Sequence, residues 1–248
     1  MTINPDTYLE DLPTPERVLI VMAHPDDAEF FAGGTLAKWA AAGAHLTLFL
    51  VTSGDKGSGD LEHDDPQQVA ALREAETQAA AERLGIAEVI FLRWGDGELM
   101  PSLALRRHIV RMIRLQQPDA VMSSDPLRRY RGHTGLNHPD HYAVAEAVQN
   151  AVYPAARDHL NYLELYQDEG LVPHKARWLY KALATHPNYR VDTTAYRERQ
   201  IAALQAHRSQ VGEPDEFAKK MRERPDEPPA DDGSPRFAEY FRVIDLHR

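Results

Sequence analysis

Two four-residue strings in this sequence bring together side chains that hold metal ions in hydrolases. They are residues 24–27 (H-P-D-D), which follow an apolar run, and residues 138–141 (H-P-D-H), which precede apolar residues at helical spacing. Adjacent carboxylates repel phosphate and attract a cation, so the first string is typical of a metal site and not of a nucleotide-binding turn. Asp26 or Asp27 could instead only cap a helix. The joint occurrence of both strings favours the metal site.

The ligand chemistry available to such a site is restricted. The sequence contains no cysteine, so a zinc ion would be held by His and by Asp or Glu. Catalytic zinc commonly takes three protein ligands and leaves a position for water. His24 and Asp27 would face the same way on a first helical turn, and His138 or His141 could supply the third ligand. Spacing leaves open which carboxylate accepts the proton of the water and which histidine stabilises the oxyanion or protonates the leaving group.

The elements that position these strings alternate along the chain. Apolar runs and amphipathic spacing predict strands and helices in turn: strands at 18–23, 45–52, 88–94 and 119–123, helices at 28–42, 66–84 and 102–116. This order predicts an α/β, Rossmann-like fold, with a largely parallel twisted sheet and helices on both faces. Four loops would then converge on the edge where ligands bind in such sheets: 24–27, 53–60, 95–100 and 124–141.

The last third of the chain is less regular. From about residue 156 we predict a C-terminal extension. It contains a short strand at 176–183, a helix at 193–208 and a second short strand at 240–246. Residues 224–235 are rich in proline and acidic residues, and we expect a mobile loop there. The sequence has no internal repeat and no clear boundary, so residues 1–248 are predicted to form one domain with a core at about 17–210.

The charge of the chain disfavours some classes of partner. There are 38 acidic and 28 basic residues, a formal net charge of −10, and no long basic run. We therefore expect neither nucleic acid nor a membrane surface as a partner. The basic cluster at 128–131 (R-R-Y-R) is interpreted as a solvated loop, with substrate contact as the alternative. No segment resembles a leader peptide or has the roughly 18–20 apolar residues of a membrane span, so we expect a cytoplasmic protein.

Longer motifs surround the two strings. A-H-P-D-D-A-E-F is followed by G-G-T-L-A at 33–37, and further motifs stand at 51–57 (V-T-S-G-D-K-G), 73–85, 96–97 and 191–210. With these motifs the sequence resembles the LmbE/PIG-L-like zinc-dependent N-deacetylases over about residues 17–210. Two positions depart from the family pattern. Leu136 stands where some members carry a tyrosine at the mouth of the site, and Gln200 stands where a lysine is frequent.

The resemblance implies roles for the first string and for one residue of the second. His24, Asp27 and His141 would bind Zn²⁺, with another divalent metal such as Fe²⁺ as the alternative. Asp26 would be the general base, positioned by the coordination of its neighbour.

The resemblance also implies roles for residues around the metal. His138 would be the electrophile or acid, oriented by Asp140, which would also raise its pKa. Arg73 and Asp96 would grip sugar hydroxyls; the alternatives are a helix-surface arginine and a turn aspartate. Asp55 is expected to be structural.

The remaining histidines have no neighbouring ligand string. We expect His186 and His207 to serve the fold or subunit contacts. The others are expected to be solvated or packed: His45, His63, His108, His133, His159, His174 and His247.

The function implied by the resemblance is hydrolysis of the acetamide of an N-acetylglucosamine-type substrate. The expected partner is thus a small N-acetylated sugar, and homo-oligomerisation is left open. One alternative is an amidase of the same family that acts on thiol-cofactor conjugates. Another is a catalytically idle sugar-binding module, whose sugar binding would be insensitive to chelation.

Overall fold

The structure, a computed structural model, describes residues 9, 12–57, 65–132 and 134–247. His63, His133 and residues 58–60 of the predicted loop lie outside this part of the chain. The strands are β1 (Arg17–Met22), β2 (His45–Thr52), β3 (Glu88–Trp94), β4 (Ala120–Ser124), β5 (Tyr130–Arg131), β6 (Gly135–Leu136), β7 (Trp178–Ala182), β8 (Tyr189–Asp192) and β9 (Ala238–Asp245). The helices are α1 (Asp27–Ala41), α2 (Pro66–Leu84), α3 (Leu103–Gln116), α4 (Pro139–Asn150), α5 (Leu163–Gln167), α6 (Arg197–Leu204), α7 (Arg208–Val211) and α8 (Pro214–Arg222). No helix among the described residues is long and apolar enough to cross a membrane.

A seven-stranded sheet carries the fold, with β1 near its centre. The strand order is β3-β2-β1-β4-β7-β9-β8. Strands β3, β2, β1, β4 and β7 pair in parallel, and β9 runs antiparallel to both β7 and β8. The predicted Rossmann-like, largely parallel sheet with a C-terminal extension is confirmed. Because the chain continues from β1 to β2 on one side and later enters β4 on the other, a crevice opens at the carboxyl end of β1.

Strand β1 is buried on both faces, since helices cover both sides of the sheet. Ile20 and Met22 belong to the apolar cluster that includes residues of α1 and α2. Leu19 and Val21 belong to the cluster that includes residues of α3 and α4. The continuous apolar run of this strand follows from its place between two helix layers.

The boundaries of the first two thirds agree closely with the sequence-based prediction. Helix α2 has the predicted bounds, and Gly85 ends it in the left-handed conformation with φ of 83°. The Ser102 hydroxyl accepts a hydrogen bond from the Leu105 N–H and caps α3 as predicted.

The last third contains more elements than the sequence predicted. The predicted helix at 193–208 starts late, because the Thr193 N–H donates to the Phe237 carbonyl and extends the ladder between β8 and β9. A 3-10 turn and α6 follow. Strand β8 and helices α5, α7 and α8 were not predicted, because segments of four to nine residues show too little periodicity.

Glu227 fixes the acidic, proline-rich segment 224–235 to the sheet. Its carboxylate pairs with Arg190 of β8, lies 3.1 Å from an Arg236 nitrogen and accepts the Tyr240 hydroxyl at 2.7 Å. The hydrogen bond from Arg190 is the main cause that lowers the pKa of Glu227 from 4.5 to about 2. The mobility expected for the rest of the segment stays a prediction.

Replacing Glu227 by glutamine should make the stability of the protein less dependent on pH in the acid range. Because the folded-state pKa is lowered, the charge of Glu227 stabilises the fold above about pH 4.5, and this stabilisation is lost as the pH falls toward 2. We expect Glu227→Gln to cost about 1 kcal/mol at pH 7 and progressively less below pH 4.5. Denaturant unfolding at several pH values tests this, with the exposed Glu223→Gln as control. A pH-independent difference would contradict it.

Candidate active site

The turn after β1 places the first string in the crevice. Asp27 is the first residue of α1, and Asp26 precedes it with φ of 86°, in the left-handed region that few residues other than glycine adopt. The Asp26 side chain makes no capping hydrogen bond. The capping alternative is therefore not supported for Asp26, and its carboxylate lines the crevice.

The second string begins α4 on the opposite wall. His138 occupies the N-cap position, and its Nδ1 accepts the backbone N–H of Asp140 at 3.3 Å. With Nδ1 used as an acceptor, the neutral ring carries its hydrogen on Nε2. Asp140 and His141 follow in the first turn and are both buried.

Three side chains of the two strings converge on one point. His24 Nδ1 lies 3.2 Å from His141 Nε2, and His141 Nε2 lies 3.0 Å from Asp27 Oδ1. The third separation, from His24 Nδ1 to Asp27 Oδ2, is 3.6 Å. Ligand atoms 2.0–2.1 Å from a tetrahedral zinc ion are roughly 3.3–3.4 Å apart. The three separations thus fit a zinc-sized ion between these side chains.

In both His24 and His141, the ring nitrogen that points away from the other ring has a hydrogen-bond partner. This partner determines which nitrogen of the neutral ring carries the hydrogen and which keeps its lone pair. Asn137 donates from Nδ2 to the Arg128 carbonyl at 2.7 Å, so its Oδ1 faces His141 Nδ1 at 2.9 Å and accepts the ring N–H. His24 Nε2 lies 3.1 Å from Asp96 Oδ1 and donates toward carboxylates. When both rings are neutral, the nitrogens that face each other therefore present lone pairs, next to the Asp27 carboxylate. Such a set of acceptors is stabilised by a cation.

A second group of possible ligands lies on the other side of His24. It consists of His24, Asp96, His138 and Asp140, whose ligand atoms lie within 4.8 Å of one another. The Asp140 carboxylate, however, already accepts the N–H groups of Gly97 at 2.8 Å and Leu99 at 3.2 Å and faces His24 Nε2 at 3.2 Å. This group is better suited to orient His24 than to hold an ion of its own.

Asp140 was predicted to orient His138; its carboxylate does not bond to that ring, and the orienting role of Asp140 stays a prediction. The carboxylate bonds to His24 and to the loop after β3, and it is the backbone N–H of Asp140 that contacts His138. The expected raised pKa of His138 is also not found. Burial lowers this pKa, the positive charge of His24 adds to the effect, and the attraction of Asp140 does not compensate.

The charges in the crevice show how strongly the site favours a cation. Burial opposes the charge of His24, but the hydrogen bonds that it donates to the carboxylates of Asp140, Asp27 and Asp96 raise its pKa to about 11. Burial alone would raise the pKa of Asp27, yet the neighbouring His141 and His24 hold it well below its usual range. The carboxylates thus stabilise positive charge at the point where His24, Asp27 and His141 meet.

Asp26 has the properties of a general base. Its burial, followed by the charge of Asp27, raises its pKa to about 7, against the opposing charge of Arg73. A carboxylate with a pKa near neutrality is basic enough to accept a proton and is still ionised in part.

Arg73 is buried beneath Asp26 and is not a helix-surface arginine. Its guanidinium donates to the carbonyls of Pro25 at 3.0 Å and Gly54 at 3.1 Å, and it lies 3.4 Å from the Asp26 carboxylate. A Cβ at Gly57 would lie 2.0 Å from an Arg73 nitrogen, so the loop after β2 can close over the guanidinium only with glycine there. Arg73 thus holds the turn that carries Asp26.

Asp96 is likewise buried, and it contacts three protein groups. Its carboxylate faces His24, its N–H donates to Asp55 at 2.9 Å, and its carbonyl accepts from Lys56 at 2.8 Å. The structural role expected for Asp55 agrees with this bond. Arg73 and Asp96 both line the crevice, and their predicted contacts with sugar hydroxyls stay a prediction.

The crevice is a cavity of about 690 Å³, within the range of roughly 300–1,000 Å³ typical of small-molecule sites. Its lining includes Phe30, Phe31 and Leu183, together with the half-buried Arg128 and the exposed Arg131, which places the two arginines at its mouth. Leu136, at the position noted for its departure from the family, is 78% exposed on β6 and does not line the cavity. Gln200 is buried and donates to the Glu29 carbonyl at 3.0 Å, and it does not line the cavity.

Sequence reasoning missed Asn137. It directly precedes the second string, and an amide next to a metal-binding histidine could have been read as a residue that fixes the ring. Its contacts with His141 and Arg128 link the predicted ligand His141 to the segment that precedes β5.

We expect Asn137→Ala to weaken metal binding by about 10- to 100-fold, because His141 would lose the acceptor that fixes its tautomer. Titration with a chelator of known affinity measures this. Asn150→Ala, at the other end of α4, is the control and should bind metal normally. Unaltered affinity in Asn137→Ala would contradict the role assigned to this amide.

Comparison with known proteins agrees with this geometry. The family model described as "PIG-L: GlcNAc-PI de-N-acetylase" matches residues 19–152, which include both strings. The chain belongs to the PIG-L family. Diacetylchitobiose deacetylase of Thermococcus kodakarensis is 32% identical over 198 residues, 80% of this chain and 71% of the relative.

Two further similarities support the assignment. A 1D-myo-inositol 2-acetamido-2-deoxy-alpha-D-glucopyranoside deacetylase of Kineococcus radiotolerans is 32% identical over 180 residues, 60% of this chain and 48% of the relative. This chain thus spans about half of that relative. The structure of N,N'-diacetylchitobiose deacetylase from Pyrococcus horikoshii superposes with a TM-score of 0.79 at 27% identity, covering 93% of this chain and 84% of that one.

The family membership confirms the resemblance drawn from the motifs, and it makes the chain a hydrolytic N-deacetylase. Its described residues include a His and Asp group that could hold a metal ion.

Proposed function

We propose that this chain removes the acetyl group from the amide nitrogen of an N-acetylglucosamine-type sugar, with a zinc ion held by His24, Asp27 and His141. The observation that carries the proposal is the convergence of two imidazole nitrogens, 3.2 Å apart, next to a buried carboxylate. Imidazole ligands favour zinc over magnesium or calcium, and the same set would accept Fe²⁺. Zinc as the physiological metal, a cytoplasmic location and a homo-oligomer stay predictions.

The side chains around the site would carry out the proton transfers and hold the reacting groups in position. A zinc ion held there would lower the pKa of water and polarise the acetamide carbonyl. Asp26 accepts the proton of the attacking water and can return it to the leaving nitrogen. Arg73 holds the Asp26 carboxylate in place at the turn after β1. Asp96 and Asp140 keep the His24 ring in its orientation.

His138 serves as a hydrogen-bond donor to the carbonyl oxygen. Its Nδ1 is used by the Asp140 N–H, so the neutral ring offers Nε2–H to the cavity, where His138 is a lining residue. A donor aimed at the oxygen stabilises the negative charge that develops there during attack. Because burial lowers the pKa of His138, the ring acts in this way in its neutral form, without a positive charge.

The substrate class is proposed from the relatives. The names of both sequence relatives describe deacetylation of an N-acetylated glucosamine unit, one in diacetylchitobiose and one in an inositol glycoside. The cavity volume suits a sugar of this size.

Acetate release from a panel of substrates tests the proposal. The panel comprises N-acetylglucosamine, diacetylchitobiose, an N-acetylglucosaminyl inositol and a thiol conjugate, each with zinc and after chelation. We expect acetate from at least one sugar, only with metal present. Cleavage of the thiol conjugate alone would favour the amidase, and sugar binding without acetate release in either state would favour the binding module.

A further inference from the structure

The mouth of the cavity carries two arginines whose charges have no protein partner among the described residues. Arg128 and Arg131 both line the cavity, and within the described ranges neither forms an ion pair. Arg73, the third arginine of the cavity, pairs with Asp26. The two guanidiniums at the mouth are therefore available to a bound molecule.

The β5–β6 hairpin directs Arg131 toward the cavity. Tyr130 and Leu136 face each other across the hairpin and are 67% and 78% exposed. Because side chains alternate along a strand, Arg131 lies on the opposite face from Tyr130, and it lines the cavity.

Arg128 is placed relative to the metal ligands by a short chain of hydrogen bonds. Its carbonyl accepts from Asn137 Nδ2, and Asn137 Oδ1 accepts from His141. The same amide that fixes a ligand ring thus fixes the backbone of Arg128. This link is not expected of a loop that is only solvated.

Arg129 provides the contrast within the same segment. Its guanidinium lies 3.8 Å from the centre of the Tyr142 ring, and Arg129 does not line the cavity. Of three neighbouring arginines, the two at the cavity have no protein partner in the described residues, and the third is stacked on an aromatic ring.

We propose that the substrate carries an anionic group, a carboxylate or a phosphate, attached to the N-acetylglucosamine unit and bound by Arg128 and Arg131. The proposal rests on the deacetylase function proposed above and specifies its substrate class. A guanidinium presents two parallel N–H donors, which match the oxygens of both kinds of anion. In a chain with a net charge of −10, unpaired basic groups at the mouth also offset the repulsion of an anionic substrate.

Matched substrates test this proposal. The neutral methyl glycoside of N-acetylglucosamine is compared with N-acetylglucosamine 1-phosphate, N-acetylglucosamine 6-phosphate and a glycoside whose aglycone carries a carboxylate. We expect kcat/KM to be about 10- to 100-fold higher for at least one anionic substrate, as charge-assisted hydrogen bonds predict. The preferred substrate identifies the source of the charge. Equal values for neutral and anionic substrates would overturn the proposal.

Two variants assign the preference to these side chains. In Arg128→Gln/Arg131→Gln the ratio of anionic to neutral kcat/KM should fall toward one, mainly through KM. In Arg129→Gln the ratio should remain as in the unaltered protein. A phosphate preference that persists in the double variant would place phosphate on the metal ion and contradict the role of the arginines.

A binding measurement separates this inference from the proposed function. The deacetylated amines of all four substrates, neutral, phosphorylated and carboxylated, are titrated calorimetrically into zinc-loaded protein, so that no turnover is needed. Absence of acetate from every substrate would contradict the deacetylase function. Equal affinity for the charged and neutral amines would contradict the anionic group, whatever the activity.

Discussion

His141→Ala is expected to lose its metal ion and its deacetylase activity together. The variant removes one of three protein ligands, and a site with two ligands holds zinc weakly. It also leaves the Asp27 carboxylate without the partner that lies 3.0 Å from it. Metal analysis of the purified protein and acetate release under zinc-saturating conditions measure the two losses.

His24→Ala should give the same result and additionally release Asp96 and Asp140, whose carboxylates face its other nitrogen. The matched control is His45→Ala, because His45 is an exposed histidine at the start of β2 and should have no effect. A purified His141→Ala protein that still carried a stoichiometric, activity-supporting ion would show that the ligand set is wrong.

Asp26→Asn should keep the metal and lower kcat by about 10²- to 10⁴-fold, the usual contribution of a general base. Asparagine is tolerated in the left-handed conformation that Asp26 adopts with φ of 86°, so the turn should be preserved. The amide can still approach Arg73, but it cannot accept the proton of the attacking water. Steady-state kinetics with zinc in excess, together with metal content, tests this expectation.

Asp27→Asn is the companion variant and should behave in the opposite way. Replacing the carboxylate by a neutral amide removes the negative ligand beside two imidazoles, so metal affinity should fall and excess zinc should restore part of the activity. If Asp27→Asn kept its ion with low kcat while Asp26→Asn lost its ion, the base and the ligand would have to be exchanged.

The parts of the fold and site that sequence could predict are those fixed by local chemistry. The apolar run of β1 reports burial on both faces, and the cap at Ser102 and the glycine at Gly85 mark helix ends. The ligand strings were recognisable because they stand directly at the end of β1 and the start of α4, two elements that meet at the crevice.

The parts that sequence could not predict depend on contacts between distant segments. Asp140 was paired with its neighbour His138, but the loop after β3 supplies the N–H groups of Gly97 and Leu99 to its carboxylate. Sequence left open that Arg73 is a helix-surface residue, and the turn at Pro25 that packs over it excludes this. Such partners are selected by the tertiary fold, because each satisfies a polar group that would otherwise be buried alone.

Anomalous diffraction from crystals of the zinc-loaded protein tests the central claim most directly. We expect a zinc peak about 2.0–2.2 Å from His24 Nδ1, His141 Nε2 and the Asp27 carboxylate, with Asp26 unbound beside it. A zinc ion bound instead by His24 Nε2, Asp96, His138 and Asp140, with no peak between the first three side chains, would contradict it.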